Sequence, residues 1–269
     1  MNVPLQGTGQ PVRPTPVATN TSGRLRHKNG ALSALSWRAF AILEPHLRQR
    51  DFEEGSVLWD AGEEVDRVYF PWSGIISIVL PVKDGSGIEV ASVGREGAAL
   101  IGYGLEPLQS VSQGICQVSG TFSYMSALQF ATAARQSDEV GRVAVACCNW
   151  LLLQSQQMAA CNAVHTADAR FCRWLLQSSE RTDSNMVPST QEAVARALGI
   201  RRTTVTLIAQ GLQMQGIISY RRGKIVVRDL GRLRSAACDC CTALGRHNWP
   251  SDRLLGKGPE PLDPQVVAG

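Results

Sequence analysis

The sequence predicts an α+β chain in three parts: an antiparallel β-roll, one long helix, and a C-terminal helix-turn-helix that carries a β-hairpin wing. Three observations predict it. Between Arg50 and Phe130, short β-type segments recur at even spacing, punctuated by Gly55, Gly62, Gly74, Gly85, Gly87 and Gly94, the pattern of a small closed or rolled sheet. Residues 138–165 then hold an apolar-rich stretch with no glycine or proline after Gly141, far longer than its neighbours. From Pro188 to Val227 two short amphipathic helix patterns lead into a basic hairpin.

At 269 residues and 44% hydrophobic composition the chain supports two modest domains with real cores. No apolar run approaches the roughly 18–20 residues that span a bilayer. The first residues, MNVPLQGTGQPVRPTPVATNTSG, are polar and carry no signal-peptide core. The expectation is a cytoplasmic protein with no membrane partner. Eight cysteines are expected to be mostly free thiols, because a chain of this size does not need disulfide staples.

Residues 1–30, with Pro4, Pro11, Pro14 and Pro16 and few large apolar side chains, read as a disordered arm whose Arg13, Arg24, Arg26 and Lys28 are solvated. Ala31 to Leu47 reads as one short amphipathic helix with Leu32, Leu35, Phe40, Leu43 and Leu47 on its apolar face. Strands are predicted over 56–59, 67–72, 75–82, 88–93, 114–120 and 121–126, giving a roll domain of residues 31–137. The acidic residues Asp51, Glu53, Glu54, Asp60, Glu63, Glu64 and Asp66 read as its solvated rim. Along residues 138–165, Ala144, Cys147, Leu151 and Met158, with Cys161, form a heptad-like stripe. Such a stripe suits a dimer interface, with Gln154 setting register. Asp168 is the expected N-cap of the next helix, which opens a domain of residues 166–240. Residues 241–269, with Gly256, Pro259, Pro261 and Pro264, read as a disordered tail.

Within the C-terminal domain, Ser189 is the expected N-cap, with Glu192 as the return half of a capping box. Val194 and Leu198 share an apolar face, and Gly199 ends the helix. A second helix is predicted from Arg201 to Met214, burying Val205, Ile208 and Leu212 and exposing Arg202, Thr203, Thr206 and Gln210. Its start is costly as pure structure. Arg201 and Arg202 oppose the helix dipole, and Thr203, Thr204, Val205 and Thr206 are β-branched. Such costs are tolerated where function demands them, and short hydroxyls with forked guanidiniums suit base edges and phosphates in a major groove. Arg221, Arg222 and Lys224 then flank Gly223 at the hairpin tip. From Thr190 to Arg234, nine Lys or Arg stand against Glu192 and Asp229, a net of +7, while the whole chain is +4. This concentration points to a nucleic-acid partner.

Together these parts resemble the Crp/Fnr family of bacterial transcription regulators over about Ala31 to Ala237. The most specific stretches are EEGSVLWDAGEEVDRVYFPWSGII and TQEAVARALGIRRTTVTLIAQGLQMQGIISYRRGKIVV. The resemblance implies a cyclic-nucleotide-binding-like roll (a double-stranded β-helix) and a homodimer meeting along the long helix. It also implies double-stranded DNA with a roughly palindromic site as ligand, and RNA polymerase as a further partner. Carried over by position, Ser189, Thr190, Gln191, Arg201, Arg202, Thr203, Thr204 and Thr206 are the candidate DNA contacts, Arg202 for a guanine. Arg221, Arg222 and Lys224 would grip phosphates.

Members that bind a cyclic nucleotide carry Gly-Glu-Leu and then Arg-Ser-Ala or Arg-Thr-Ala. Here Gly97-Ala98-Ala99 and Gln113-Gly114-Ile115 stand near those motifs. Losing the arginine forfeits a charge-assisted pair worth roughly 1.5–3 kcal/mol, so no cofactor and no tight cyclic nucleotide are expected. Arg95, Glu96 and Gln113 are the candidate effector contacts. The group Cys238-Asp239-Cys240-Cys241 has spacing suited to soft metals or redox chemistry. The family's cluster-binding members use an N-terminal cysteine group, which this arm lacks, so no metal site is expected. His27, His46, His165 and His247 are scattered singly and read as structural or solvated. The alternatives are a cysteine-based sensor and a partner-binding roll without specific DNA binding. An enzyme is not expected, since residues 50–130 hold no histidine for an oxygenase-type metal site.

Overall fold

The computed structural model describes residues 27–82, 87–100 and 109–240. The predicted arm up to residue 26 and the tail from 241, Cys241 included, lie outside the described residues. Residues 27–30, counted with the arm above, belong to the fold. The Asn29 side chain is fully buried, donates to the carbonyls of Pro71 and Gly97, and caps α1 (Gly30–Ser33) by accepting from Leu32 N.

The single helix predicted over 31–47 is broken. α1 is followed by α2 (Trp37–Leu43) and a 3₁₀ turn over Glu44–His46. Ser36 causes the break by capping α2 at Ala39 N, while its hydroxyl and amide both donate to Glu139. The five predicted apolar positions are nonetheless all buried.

Seven strands form the roll: β1 (Arg48–Phe52), β2 (Val57–Trp59), β3 (Arg67–Pro71), β4 (Ile75–Pro81), β5 (Gly87–Val93), β6 (Gln113–Val118) and β7 (Gly120–Ser126). They make two antiparallel sheets, ordered β1-β7-β3 and β2-β6-β4-β5. β1 is absent from the predicted set because its sequence, RQRDF, is polar. It is an edge strand with only Phe52 turned towards the roll core. At the β6–β7 corner, a Cβ on Gly120 would lie 2.2 Å from the Ser73 carbonyl oxygen, so only glycine lets the two turns cross.

α3 (Ala127–Gln136) leads into α4 (Asp138–Val164), the 27-residue central helix, capped by Ser137. An elbow at His165 and Thr166 starts α5 (Ala167–Thr182). Thr166 is the N-cap, accepting from Ala169 N. Asp168, the predicted cap, sits instead in the first turn, where its charge still favours the helix dipole.

The C-terminal domain comprises β8 (Met186–Pro188), α6 (Gln191–Leu198), α7 (Arg202–Met214), β9 (Ile218–Arg221), β10 (Lys224–Val227) and α8 (Leu230–Ala236), with sheet order β8-β10-β9. Its core gathers Phe171, Trp174, Leu175, Val194, Leu198, Val205, Ile208, Leu212, Ile225 and Leu233. None of the helices described is long and apolar enough to cross a membrane.

The stripe predicted to face a second helix faces the chain's own domains. Ala144 and Cys147 join the core under α2 and α3, Leu151 packs on the roll interior, and Met158 is buried. Ala144 is 0% exposed, which leaves no area for another chain. The misreading has a physical cause: α4 is apolar on two faces. Val145 is 54% and Leu152 57% exposed, and Ala159 is exposed as well.

Candidate nucleic-acid interface

α6 begins one residue later than its predicted cap. Thr190 Oγ1 accepts from Ala193 N at 3.1 Å and serves as N-cap, so Glu192 has no capping-box position. Ser189 is instead used by its backbone. Its amide donates to the Gly223 carbonyl at 2.8 Å, and its carbonyl accepts from Tyr220 Oη at 3.0 Å. That strand-like pairing turns the Ser189 side chain fully inward, with its Oγ unpartnered, so Ser189 is not a surface contact.

Gly199 takes the left-handed conformation, φ 61°, and the Ile200 amide returns to the Ala195 carbonyl, a tight ending that turns the chain sharply into α7. Arg170 on α5 donates to the Leu198 carbonyl at 3.0 Å, placing a cation at the end of α6. Arg201 caps α7 by backbone alone, with no side-chain bond to the helix start. The Thr204 amide turns back to the Arg201 carbonyl at 3.0 Å, and no side chain caps the amides of Arg202 and Thr203, which leaves them to external acceptors such as phosphate.

Arg201, Arg202, Thr203 and Gln210 are exposed, and Thr204 and Thr206 are half-buried. Arg202 Nε donates to Gln191 Oε1 at 3.4 Å, which ties the two helices of the motif at its open end. Thr206 Oγ1 donates to the Arg202 carbonyl at 3.1 Å. At the wing, Arg222 and Gly223 both have positive φ, 51° and 72°, the conformation of a two-residue type I′ hairpin turn. The turn holds Arg221, Arg222 and Lys224 at an exposed tip. A groove lined by Thr190, Gln191, Arg202, Thr206, Tyr220 and Arg222 runs between α6, α7 and the wing.

Two contributors were missed by the sequence reading. Leu207 is 68% exposed beside Thr203 and Thr206; its signal was an apolar residue on the polar face of α7. Tyr220 locks the wing to the α6 entry through its hydroxyl while its amide donates to Gln213 Oε1 at 2.8 Å.

These features describe a known kind of domain. Residues 169–236 match the Crp-like helix-turn-helix domain. This is a Crp-like helix-turn-helix domain. The whole architecture is the Crp/Fnr fold. A CRP-family transcriptional regulator from Thermus thermophilus superposes with a TM-score of 0.61 at 18% identity, over 70% of this chain and 96% of that one. A second Thermus thermophilus CRP/FNR-family regulator gives 0.59 at 19%, over 70% and 97%. FixK2 from Bradyrhizobium japonicum gives 0.59 at 17%, over 71% and 98%. Comparison with curated protein sequences gave no match.

The Crp-like domain is docked on its own roll. Glu54, on the acidic rim, lines a cleft with Thr190; burial raises its carboxyl above the usual range while the Thr190 backbone opposes the rise. Gly199 lies against Ile88 of β5. Glu89 of β5 is buried, accepts from Ser77 Oγ, and is pushed up to about 7 by desolvation against the opposing hydrogen bond and the charges of Arg181 and Arg173.

Arg181 is the hub of this interface. It pairs with Glu96 at 2.9 Å, donates to the Ser92 hydroxyl at 2.6 Å, and bonds Gln154 Oε1 of α4 at 3.2 Å. The predicted effector contacts are therefore engaged within the chain. Glu96 belongs to Arg181, Arg95 forms a two-bond pair with Asp183, and Gln113 donates to Asp60. They do not share one site: the register places Gln113 opposite Val79, at the far end of β6 from Val118 and Ile75, the end beside which β5 delivers Arg95.

Inside the roll, Trp59, Tyr69, Phe122 and Tyr124 pack with Phe52, with Trp59 stacked on Tyr69 at 5.9 Å and Phe52 on Phe122 at 5.0 Å. The Trp59 ring lies against Gly114, so a Cβ there would meet it at 2.1 Å. Residues 101–108, between the two motif regions, lie outside the described residues.

Proposed function

We propose that the chain is a sequence-specific DNA-binding transcription regulator that acts as a homodimer on a roughly palindromic operator. The observation that carries this reading is the exposed start of α7, where Arg202, Thr203 and Thr206 stand beside Leu207, with Arg222 of the cationic wing across the same groove. The guanidinium fork suits a guanine edge and Leu207 a thymine methyl, while Arg221, Arg222 and Lys224 suit phosphates. Double-stranded DNA and a second copy are the partners, with RNA polymerase following from the family likeness.

The dimer reading rests on Val145, Leu152 and Ala159, which repeat every seven residues on the open face of α4, the period of a two-helix seam. The roll's part in this reading is control without a tight cyclic nucleotide. The aromatic packing around Trp59 and the internal pairing of Arg95 and Glu96 support it.

Selection of bound sites from a random duplex pool should return a two-fold-symmetric motif. Recovery of a sequence-independent pool would overturn the reading. In sedimentation equilibrium, Leu152→Glu should convert a dimer into a monomer, and an unchanged dimer would place the seam elsewhere. Calorimetric titration with cyclic AMP should give no heat at micromolar ligand.

A further inference from the structure

Three cysteines and a histidine meet at the elbow between α4 and α5. Cys161 lies in the last turn of α4 and His165 is the residue that caps it, one turn further on. Cys238 and Cys240 arrive from just beyond α8, 77 residues later in the chain, where the Cys238 amide donates to the Ala169 carbonyl. Cys161 Sγ is 3.5 Å from Cys238 Sγ, and Cys240 Sγ is 3.5 Å from His165 Nδ1. All four donor atoms lie within 4.8 Å of one another, and the three thiols are buried.

We propose that Cys161, His165, Cys238 and Cys240 bind a single zinc ion in a tetrahedral three-sulfur, one-nitrogen site. Zinc–sulfur bonds of about 2.3 Å and zinc–nitrogen bonds of about 2.0–2.1 Å place tetrahedral ligands about 3.8 Å apart for two sulfurs and about 3.5 Å apart for sulfur and nitrogen. The Cys161–Cys238 and Cys240–His165 pairs, at 3.5 Å each, already match these spacings, and any wider pair, all being within 4.8 Å, has to close by at most about 1 Å around one central ion. An iron–sulfur cluster would put several atoms between the ligands and spread them beyond this spacing. Soft thiolates with one imidazole also select zinc over the oxygen-seeking cations.

Two features outside the ligand set point the same way. Gln157 Nε2 donates to Cys240 Sγ at 3.0 Å, the outer-shell donation that orients and stabilises a metal-bound thiolate. Arg173 is 2% exposed; among the described residues its Nε and Nη2 have no hydrogen-bond partner, and its Nη1 donates to Gln177. Its charge acts on Cys161 and Cys238, and on Glu89 as well. Zinc held by three thiolates and a neutral imidazole leaves one negative charge over, which would neutralise this buried guanidinium. The ion would fasten the segment after the DNA-reading domain to the elbow where α4 ends. On binding, each thiol gives its proton to solvent and no electrons move, so no oxidant is needed.

The test uses the full chain purified with zinc supplied and reductant present. Metal analysis should find one zinc per chain, and cobalt exchanged into the site should show thiolate-to-metal charge transfer with tetrahedral d–d bands. Cys240→Ser and His165→Ala should each lose most of the metal, while Cys148→Ser, on the same helix outside the cluster, keeps it. Gln157→Leu should retain the cobalt spectrum with affinity weakened about 10–100-fold. A chain that takes up no zinc after refolding with it, a cobalt spectrum without sulfur ligation, unchanged metal content in Cys240→Ser, or peptide mapping that finds Cys161 and Cys238 joined as a disulfide would each overturn the proposal.

Discussion

The Crp-like domain and the roll use the same kinds of residue in opposite ways. In the domain, a small apolar core holds α6, α7 and the wing so that arginines, threonines and Lys224 face outward with few partners. In the roll, the interior where a ligand would lie is packed by Trp59, Tyr69, Phe122 and Tyr124, and Arg95 and Glu96, just beyond β5, are paired with Asp183 and Arg181 at the end of α5. One region offers unspent hydrogen-bonding capacity to a partner; the other has used its capacity on itself. On the function proposed above, recognition would be local to the domain and the roll would act through how firmly it grips that domain.

The largest test of this contrast is Trp59→Ala. Removing a large buried aromatic should cost about 3–5 kcal/mol in denaturant unfolding, while operator preference in the folded protein stays unchanged. A shift in base preference would make the roll interior part of the reader.

Next comes Glu89, between roll and domain. With its carboxyl at about 7 in the folded chain and near 4.5 when unfolded, the native state holds a proton that the unfolded chain has lost between those two values. Stability should then fall as pH rises across that window, by about 3 kcal/mol in total. Glu89→Gln should remove this slope in urea titrations taken from pH 4.5 to 8. A slope equal to that of the parent chain would assign the titration to another group.

Arg202→Ala should lose roughly 1–3 kcal/mol of discrimination at one base position in gel-shift competition. Full retention of specificity would move the reading role away from the first turn of α7. Lys224→Ala is the smallest change: it should weaken all sequences alike and lower the salt slope by about one. Loss confined to a single base would turn that phosphate contact into a base contact.

Elements whose signal lies in neighbouring residues were legible in the sequence. The α7 face, the Gly199 stop and the wing turn follow from spacing of three and four and from glycine placement, and each stands where it was read. What escaped depended on distant partners. β1 is a strand because β7 pairs with it, although its residues are charged. Thr190 rather than Ser189 caps α6 because Gly223, far along the chain, claims the Ser189 amide. Periodicity found the apolar stripe of Ala144 and Cys147 but could not say which of two apolar faces of α4 the roll would cover. Cys161 read as part of the α4 stripe and His165 as a lone histidine because Cys238 and Cys240 join them only after the domain between has folded back.

At about 1.5 Å per residue, the 27 residues of α4 make a rod about 40 Å long. For two such rods joined at a seam, a tilt of about 10° at one end would sweep the other through about 7 Å, or about two base-pair steps at 3.4 Å each. In such a pair, small angular play in the rod would become a whole change of gauge between the two C-terminal domains, and the fastenings along it, Ser36 on Glu139 and Arg181 on Gln154, are what would fix the gauge.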